Sequence, residues 1–163
     1  MTTSLRIISR SPAHTRRIGA CLGTLLQPGD LLLLQGPFGA GKTTLVQGIA
    51  QGLGVRGHIS SPSFALVNVY RAGDRQPGSL VYHIDLYRIS DPEEALQFGL
   101  EEYLSGKGVT VVEWPERAEE VLPSEHARIT MTFAGVRTRV LTIEASGERY
   151  VQLLKDFESR CCQ

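Results

Sequence analysis

Residues 36–44 read GPFGAGKTT, three glycines, one lysine and two threonines in nine positions. A loop that only had to turn would need one or two glycines and no lysine. The spacing G-x-x-x-x-G-K-[ST] fixes Gly36, Gly41, Lys42 and Thr43, and its chemistry is phosphate binding. Glycines at 39 and 41 let the backbone curl around an anion with its N–H groups turned inward. Lys42 supplies a mobile positive charge for the β and γ phosphates, and Thr43 a hydroxyl that a bridging Mg²⁺ takes as ligand. The contact set expected for ATP or ADP is therefore Gly36, Gly39, Ala40, Gly41, Lys42, Thr43 and Thr44.

A phosphate loop needs more before it hydrolyses anything. Mg²⁺ usually takes a carboxylate from the C-terminal end of a neighbouring strand. Two apolar runs end in acids: VTVVEW presents Glu113 and LVYHIDLY presents Asp85. The plainer role for either is to meet water or cap a helix, but Asp85 lies too far from Asp91 to cap the helix that starts there. Both are assigned to the metal or its water. The loop ISSPSF, between the nucleotide helix and the next strand, carries Ser60, Ser61 and Ser63, where a switch segment would offer a hydroxyl to the γ-phosphate. Serines beside proline are also ordinary turn residues. Trp114, the single tryptophan, follows Glu113 directly and serves either the core or the nucleotide.

These residues must be positioned by strands and helices. LRIIS reads as a short strand, and Ser11-Pro12 as an N-cap with proline in the first turn of a helix carrying Ile18, Leu22, Leu25 and Leu26 on one side. The run LLLL is the signature of a strand buried on both faces of a parallel sheet. It leads into the glycine loop, which opens a helix ending at Gly54, so unpaired N–H groups and the helix dipole face the anion. FALVNVY and LVYHIDLY form an expected antiparallel hairpin. Asp91, Pro92 and Glu94 start a helix expected to run to about Leu104. VTVVEW is a second buried strand, ITMTFAG and TRVLTIEAS a second hairpin joined near Gly135, and residues 147–163 a short C-terminal helix and tail. The order predicts one α/β domain over residues 1–163, a phosphate-loop NTPase-like fold with a mostly parallel central sheet, antiparallel hairpins and helices on both faces.

With 163 residues, 42% of them hydrophobic and 21% charged, the chain can bury a substantial core. Lys plus Arg and Asp plus Glu both number 17; a protein that grips nucleic acid alone usually carries a net basic surface. No apolar run approaches the ~20 residues of a membrane span, and no signal peptide opens the chain. Cys21, Cys161 and Cys162 are expected to be reduced thiols, and the cytoplasm is the expected location.

GPFGAGKTT, SSPSFALVNVY, VYHIDLYRISDPEEALQFGLEEYL and VVEWPERAEEVLP together resemble the TsaE (YjeE) family of bacterial ATPases needed for threonylcarbamoyl-adenosine in tRNA. HIDLYR and VEWPER are specific to that family. The resemblance implies a protein working with the TsaB–TsaD pair, touching tRNA only through those partners. It implies that Glu113 and Thr43 bind Mg²⁺, that Asp85 is a further active-site residue, and that Ser63 stands where the family often has threonine. It also places contacts to the nucleoside around Ser11 and around Gly135. Two other readings use the same loop: a small-molecule kinase, which would need an arginine-bearing lid, and a nucleotide-gated binding module without useful turnover.

Overall fold

The computed structural model describes residues 3–62, 66–73 and 78–162. The strands are β1 (Ser4–Ser9), β2 (Leu31–Gln35), β3 (Val67–Arg71), β4 (Leu80–Asp85), β5 (Gly108–Glu113), β6 (His126–Phe133) and β7 (Arg139–Ser146). The helices are α1 (Pro12–Gly23), α2 (Lys42–Gly52), α3 (Pro92–Gln97), α4 (Leu100–Tyr103) and α5 (Glu148–Cys161), with short 3₁₀ turns at Pro115–Arg117 and Glu119–Val121.

All seven strands join one sheet in the order β1-β7-β6-β2-β5-β4-β3. β2 and β5, the two strands with near-continuous apolar sequences, lie inside it, and β6, β2, β5 and β4 run parallel. The β3–β4 hairpin at one edge and the β6–β7–β1 meander at the other are antiparallel. The expected mixed architecture is the one observed.

Alternation along β2 assigns the layers. Leu32 and Leu34 join Leu45, Ile49, Ile129 and Leu154 beneath α1, α2 and α5. Leu31 and Leu33 join Ile84, Val112, Leu86 and Leu100 beneath α3, α4 and the 3₁₀ turns. α5 is 14 residues long, more than the marginal helix expected, because Tyr150, Leu153, Leu154 and Phe157 recur at helical spacing and are all buried.

α1 and α2 pack backbone to backbone. Gly19 and Gly23 face Gly48 and Gly52, and a Cβ on Gly48 or Gly52 would collide with the carbonyl oxygen of Arg16 or Ala20. That contact fixes the helix behind the phosphate loop against the helix whose N-cap is Ser11.

Two expectations need correction. The helix starting at Asp91 does not run unbroken to Leu104; it splits at Gly99, whose φ of +88° ends α3 and starts α4. The thiols are not all reduced: Cys21 in α1 and Cys161 at the end of α5 form a disulfide with Cα atoms 6.1 Å apart, and Cys162 is free and exposed. Their separation of 140 residues gave the sequence no local sign of the pairing. No helix among the described residues is long and apolar enough to cross a membrane.

Candidate functional site: the phosphate loop and its facing acids

The glycine loop leaves the C-terminal end of β2, where open α/β sheets place their ligand crevice. Gly39 (φ +80°) and Gly41 (φ +100°) adopt left-handed backbone conformations that a side chain would oppose. Gly41 is the N-cap of α2 without a side-chain cap, so the first N–H groups of that helix remain available to an anion. Thr43 and Thr44, in its first turn, are half-buried.

Lys42 does not extend into solvent; it is 6% exposed. Its Nζ donates to the Gly36 carbonyl at 2.6 Å and lies 4.0 Å from the centroid of the Trp114 ring. Burial lowers its pKa, and the carboxylates of Glu113, Asp85 and Glu116 oppose that shift. A single ammonium therefore faces three acids.

Asp85 and Glu113, at the ends of adjacent parallel strands, are register partners. Asp85 Oδ1 accepts from the Tyr87 N–H at 2.9 Å, so the acid also shapes the turn after β4, and Ser61 Oγ approaches Oδ2 at 3.5 Å. Burial and then the nearby Glu113 charge raise the Asp85 pKa, against the Tyr87 N–H, His83 and Lys42. Glu113 is 3% exposed, with Oε2 2.5 Å from Nε2 of the fully buried His83.

Trp114 turns the chain with φ +57°. Its ring meets Phe38 of the glycine loop and Tyr87 at centroid distances of 5.2 and 5.0 Å, and Phe38 meets Tyr87 at 4.7 Å. Both roles weighed for this tryptophan are thus compatible, since one ring packs in an aromatic group and covers the lysine.

Beside the loop lies a cavity of about 150 Å³ lined by Ser11, Gly39, Ala40, Gly41, Thr44 and Arg139, among others. Ser11 and the loop, distant in sequence, therefore share one wall. Ser11 Oγ is already engaged as N-cap, accepting from the His14 N–H at 3.0 Å. Gly135 does not line the cavity; its neighbour Val136 does. Arg139 ties the hairpin to the loop, donating to the Gly39 carbonyl at 3.2 Å and to the Gly135 carbonyl at 3.1 Å.

The serine-bearing loop is anchored through its backbone. Gln47 of α2 donates to the Ile59 carbonyl at 3.1 Å, while Asn68 and Tyr70 donate to the Ser60 carbonyl at 3.1 and 3.4 Å. Ser63 lies outside the described residues.

Sequence reading did not single out His83, Phe38, Tyr87 or Arg139. Only His83 left a trace there: in HIDLYR it stands two residues before Asp85, hence on the same face of a strand. Among the described residues no three acidic, imidazole or thiol side chains gather closely enough to cage an ion. The donors on offer (the Thr43 hydroxyl and the Glu113 and Asp85 carboxylates) are hard oxygens. That set suits Mg²⁺, which completes its octahedron with waters and phosphate oxygens.

A buried strand, a glycine loop opening a helix and two paired strand-end acids define a phosphate-loop α/β protein. The family model for "Threonylcarbamoyl adenosine biosynthesis protein TsaE" matches residues 9–141. The chain is 40% identical over 146 residues to the Bacillus subtilis (strain 168) "tRNA threonylcarbamoyladenosine biosynthesis protein TsaE", covering 90% of this chain and 89% of that protein. It is 39% identical over 140 residues to the Treponema pallidum protein of the same description, covering 85% and 99%. Its structure resembles the crystal structure of Bacillus subtilis YdiB with a TM-score of 0.83 at 34% identity, covering 98% of this chain and 97% of the other. The chain belongs to the TsaE family of threonylcarbamoyladenosine biosynthesis proteins.

Proposed function

We propose that this chain binds Mg-ATP and hydrolyses it in support of threonylcarbamoyl-adenosine formation on tRNA, acting in the cytoplasm with a TsaB–TsaD-type pair that itself contacts the tRNA. The observation that carries the reading is the placement of Lys42 at a glycine loop facing two register-paired acids. The loop's N–H groups hold the phosphates, and Lys42, desolvated and already charge-balanced by acids, exchanges the Gly36 carbonyl for phosphate oxygens. Thr43 and Glu113 would hold the cation, with Asp85 in the same shell. A Mg²⁺ held there would supply the positive charge that offsets negative charge developing on the phosphate oxygens. The cavity walled by Ser11 and Arg139 accommodates part of the nucleoside.

Calorimetry and steady-state hydrolysis with Glu113→Gln and Asp85→Asn test this reading. Both variants should lower turnover by about 10²-fold, the scale for removing one electrostatic stabiliser, while metal-free ATP still binds. Parental hydrolysis by both at limiting Mg²⁺ rejects the metal site. Phosphorylation of an added small-molecule acceptor would make the protein a kinase, and binding without turnover, even with the partners, a nucleotide-gated module.

A further inference from the structure

We propose that His83 is a positioning residue for Glu113, holding one carboxylate oxygen so that the other is presented to the cation; this rests on the Mg-ATP reading above.

His83 sits in β4, opposite Val111 of β5, and is 0% exposed. Burying a polar ring there is unfavourable unless its nitrogens are paired. Only one is: Nε2 meets Glu113 Oε2 at 2.5 Å, while Nδ1 is buried with no hydrogen-bond partner among the described residues. A residue chosen for core stability would be an aliphatic side chain, like Val81 and Val111 on the same face. The imidazole's single polar contact is with a proposed metal ligand.

An ionised carboxylate only accepts hydrogen bonds, so this contact uses a ring proton on Nε2. Among the described residues Glu113 makes no other side-chain hydrogen bond. His83 is therefore what sets the plane of that carboxylate. Partners of this kind, which hold a ligand rather than the metal, are typically worth 10–100-fold in metal affinity.

The test compares His83→Leu, which keeps bulk but removes the donor, with His83→Asn, whose amide retains one. The readout is the Mg²⁺ concentration giving half-maximal binding enhancement of ATP by calorimetry, with Mn²⁺ binding followed by its paramagnetic resonance signal. In His83→Leu the metal midpoint should rise by about 10–100-fold with metal-free ATP affinity unchanged, and His83→Asn should recover part of the loss. Combined with Glu113→Gln, His83→Leu should add little, because the group it positions is gone. If His83→Leu does not fold, His83→Asn carries the comparison alone, with a midpoint between parent and Glu113→Gln. Parental metal midpoints in the His83 variants, with Glu113→Gln impaired, overturn the positioning role alone. A His83 effect that persists in full in the Glu113→Gln background does the same. An unimpaired Glu113→Gln overturns the metal-site reading and this inference with it.

Discussion

The Lys42 ammonium rests 4.0 Å from the centroid of the Trp114 ring while donating to the Gly36 carbonyl. An ammonium over an indole contributes about 0.5–2 kcal/mol and perturbs the ring's emission. When phosphate oxygens take up the ammonium, that environment changes. Trp114 fluorescence, which in this chain comes from a single indole, should therefore shift on adding Mg-ATP. Lys42→Ala should show an altered starting spectrum, no nucleotide-dependent change and no tight ATP binding, with its circular dichroism unchanged. A flat parental spectrum at saturating nucleotide would count against phosphates binding beside VVEW.

Gly48 is held against the Arg16 carbonyl. In an exposed helix Gly→Ala usually stabilises by ~0.4–1 kcal/mol; here the sign should reverse. Gly48→Ala must push α1 away from α2, an overpacking strain of about 1–3 kcal/mol. Urea unfolding should show a lower midpoint at unchanged slope. ATP affinity should also fall, because Ser11 and the glycine loop ride on the two displaced helices. A midpoint at or above the parent's would mean the helices have room to spare.

How much of this was legible depends on the range of the interaction. LLLL, the glycine loop and VTVVE announce buried strands and a phosphate turn through local patterns, and Glu113 and Asp85 announce themselves as the acids that end them. The neighbouring of Asp85 and Glu113 follows once β4 and β5 are parallel and in register, which no local pattern states. The His83–Glu113 contact needs the same register, and the Cys21–Cys161 bond needs α5 laid across α1. Gly48 and Gly52 read only as tolerated helix glycines until α1 is brought against them. The break at Gly99 was hidden because apolar residues continue on both sides of it: Ala95, Phe98, Leu100, Tyr103 and Leu104 all pack into the same layer.

Tyr150 joins α5 to the start of β2: its hydroxyl oxygen accepts from the Leu31 N–H at 2.8 Å. Tyr150→Phe leaves that buried N–H without its acceptor and should destabilise the fold by about 1–3 kcal/mol. Burial raises the Tyr150 pKa, so the folded state favours the protonated phenol. Its contribution is complete below the ordinary phenol value of about 10 and is lost as pH climbs through the higher folded value. The stability gap between parent and Tyr150→Phe should therefore be constant from neutral pH upward and narrow above about pH 10. A gap that widens there would show the phenolate to be the favoured form.

Two arginines beside the site are already engaged. Arg117 lies 5.5 Å from the Tyr87 ring centroid, and Arg139 is bonded to carbonyls of the hairpin and of Gly39. Neither is poised as a finger over the γ-phosphate, and a finger supplied in trans can raise turnover by about 10³–10⁵-fold. The surface around the loop is equipped to be covered: Phe38 is 63% exposed, Phe133 53% and Val136 96%, all three on the loop or the adjacent hairpin. Hydrolysis by the isolated chain should therefore be slow, and it should accelerate on titration with a TsaB–TsaD-type pair. Because only ATP carries a γ-phosphate for the serine-bearing loop to sense, the pair should bind the ATP state more tightly than the ADP state. Phe133→Ser should weaken that stimulation by raising the partner concentration needed, while leaving the slow basal rate nearly unchanged. Steady-state phosphate release across a partner titration, with ATP and ADP binding measured in parallel, reads all of these quantities. Fast turnover without partners, unchanged by their addition, would make the chain a self-sufficient ATPase and remove the basis for assigning it a partner-gated role.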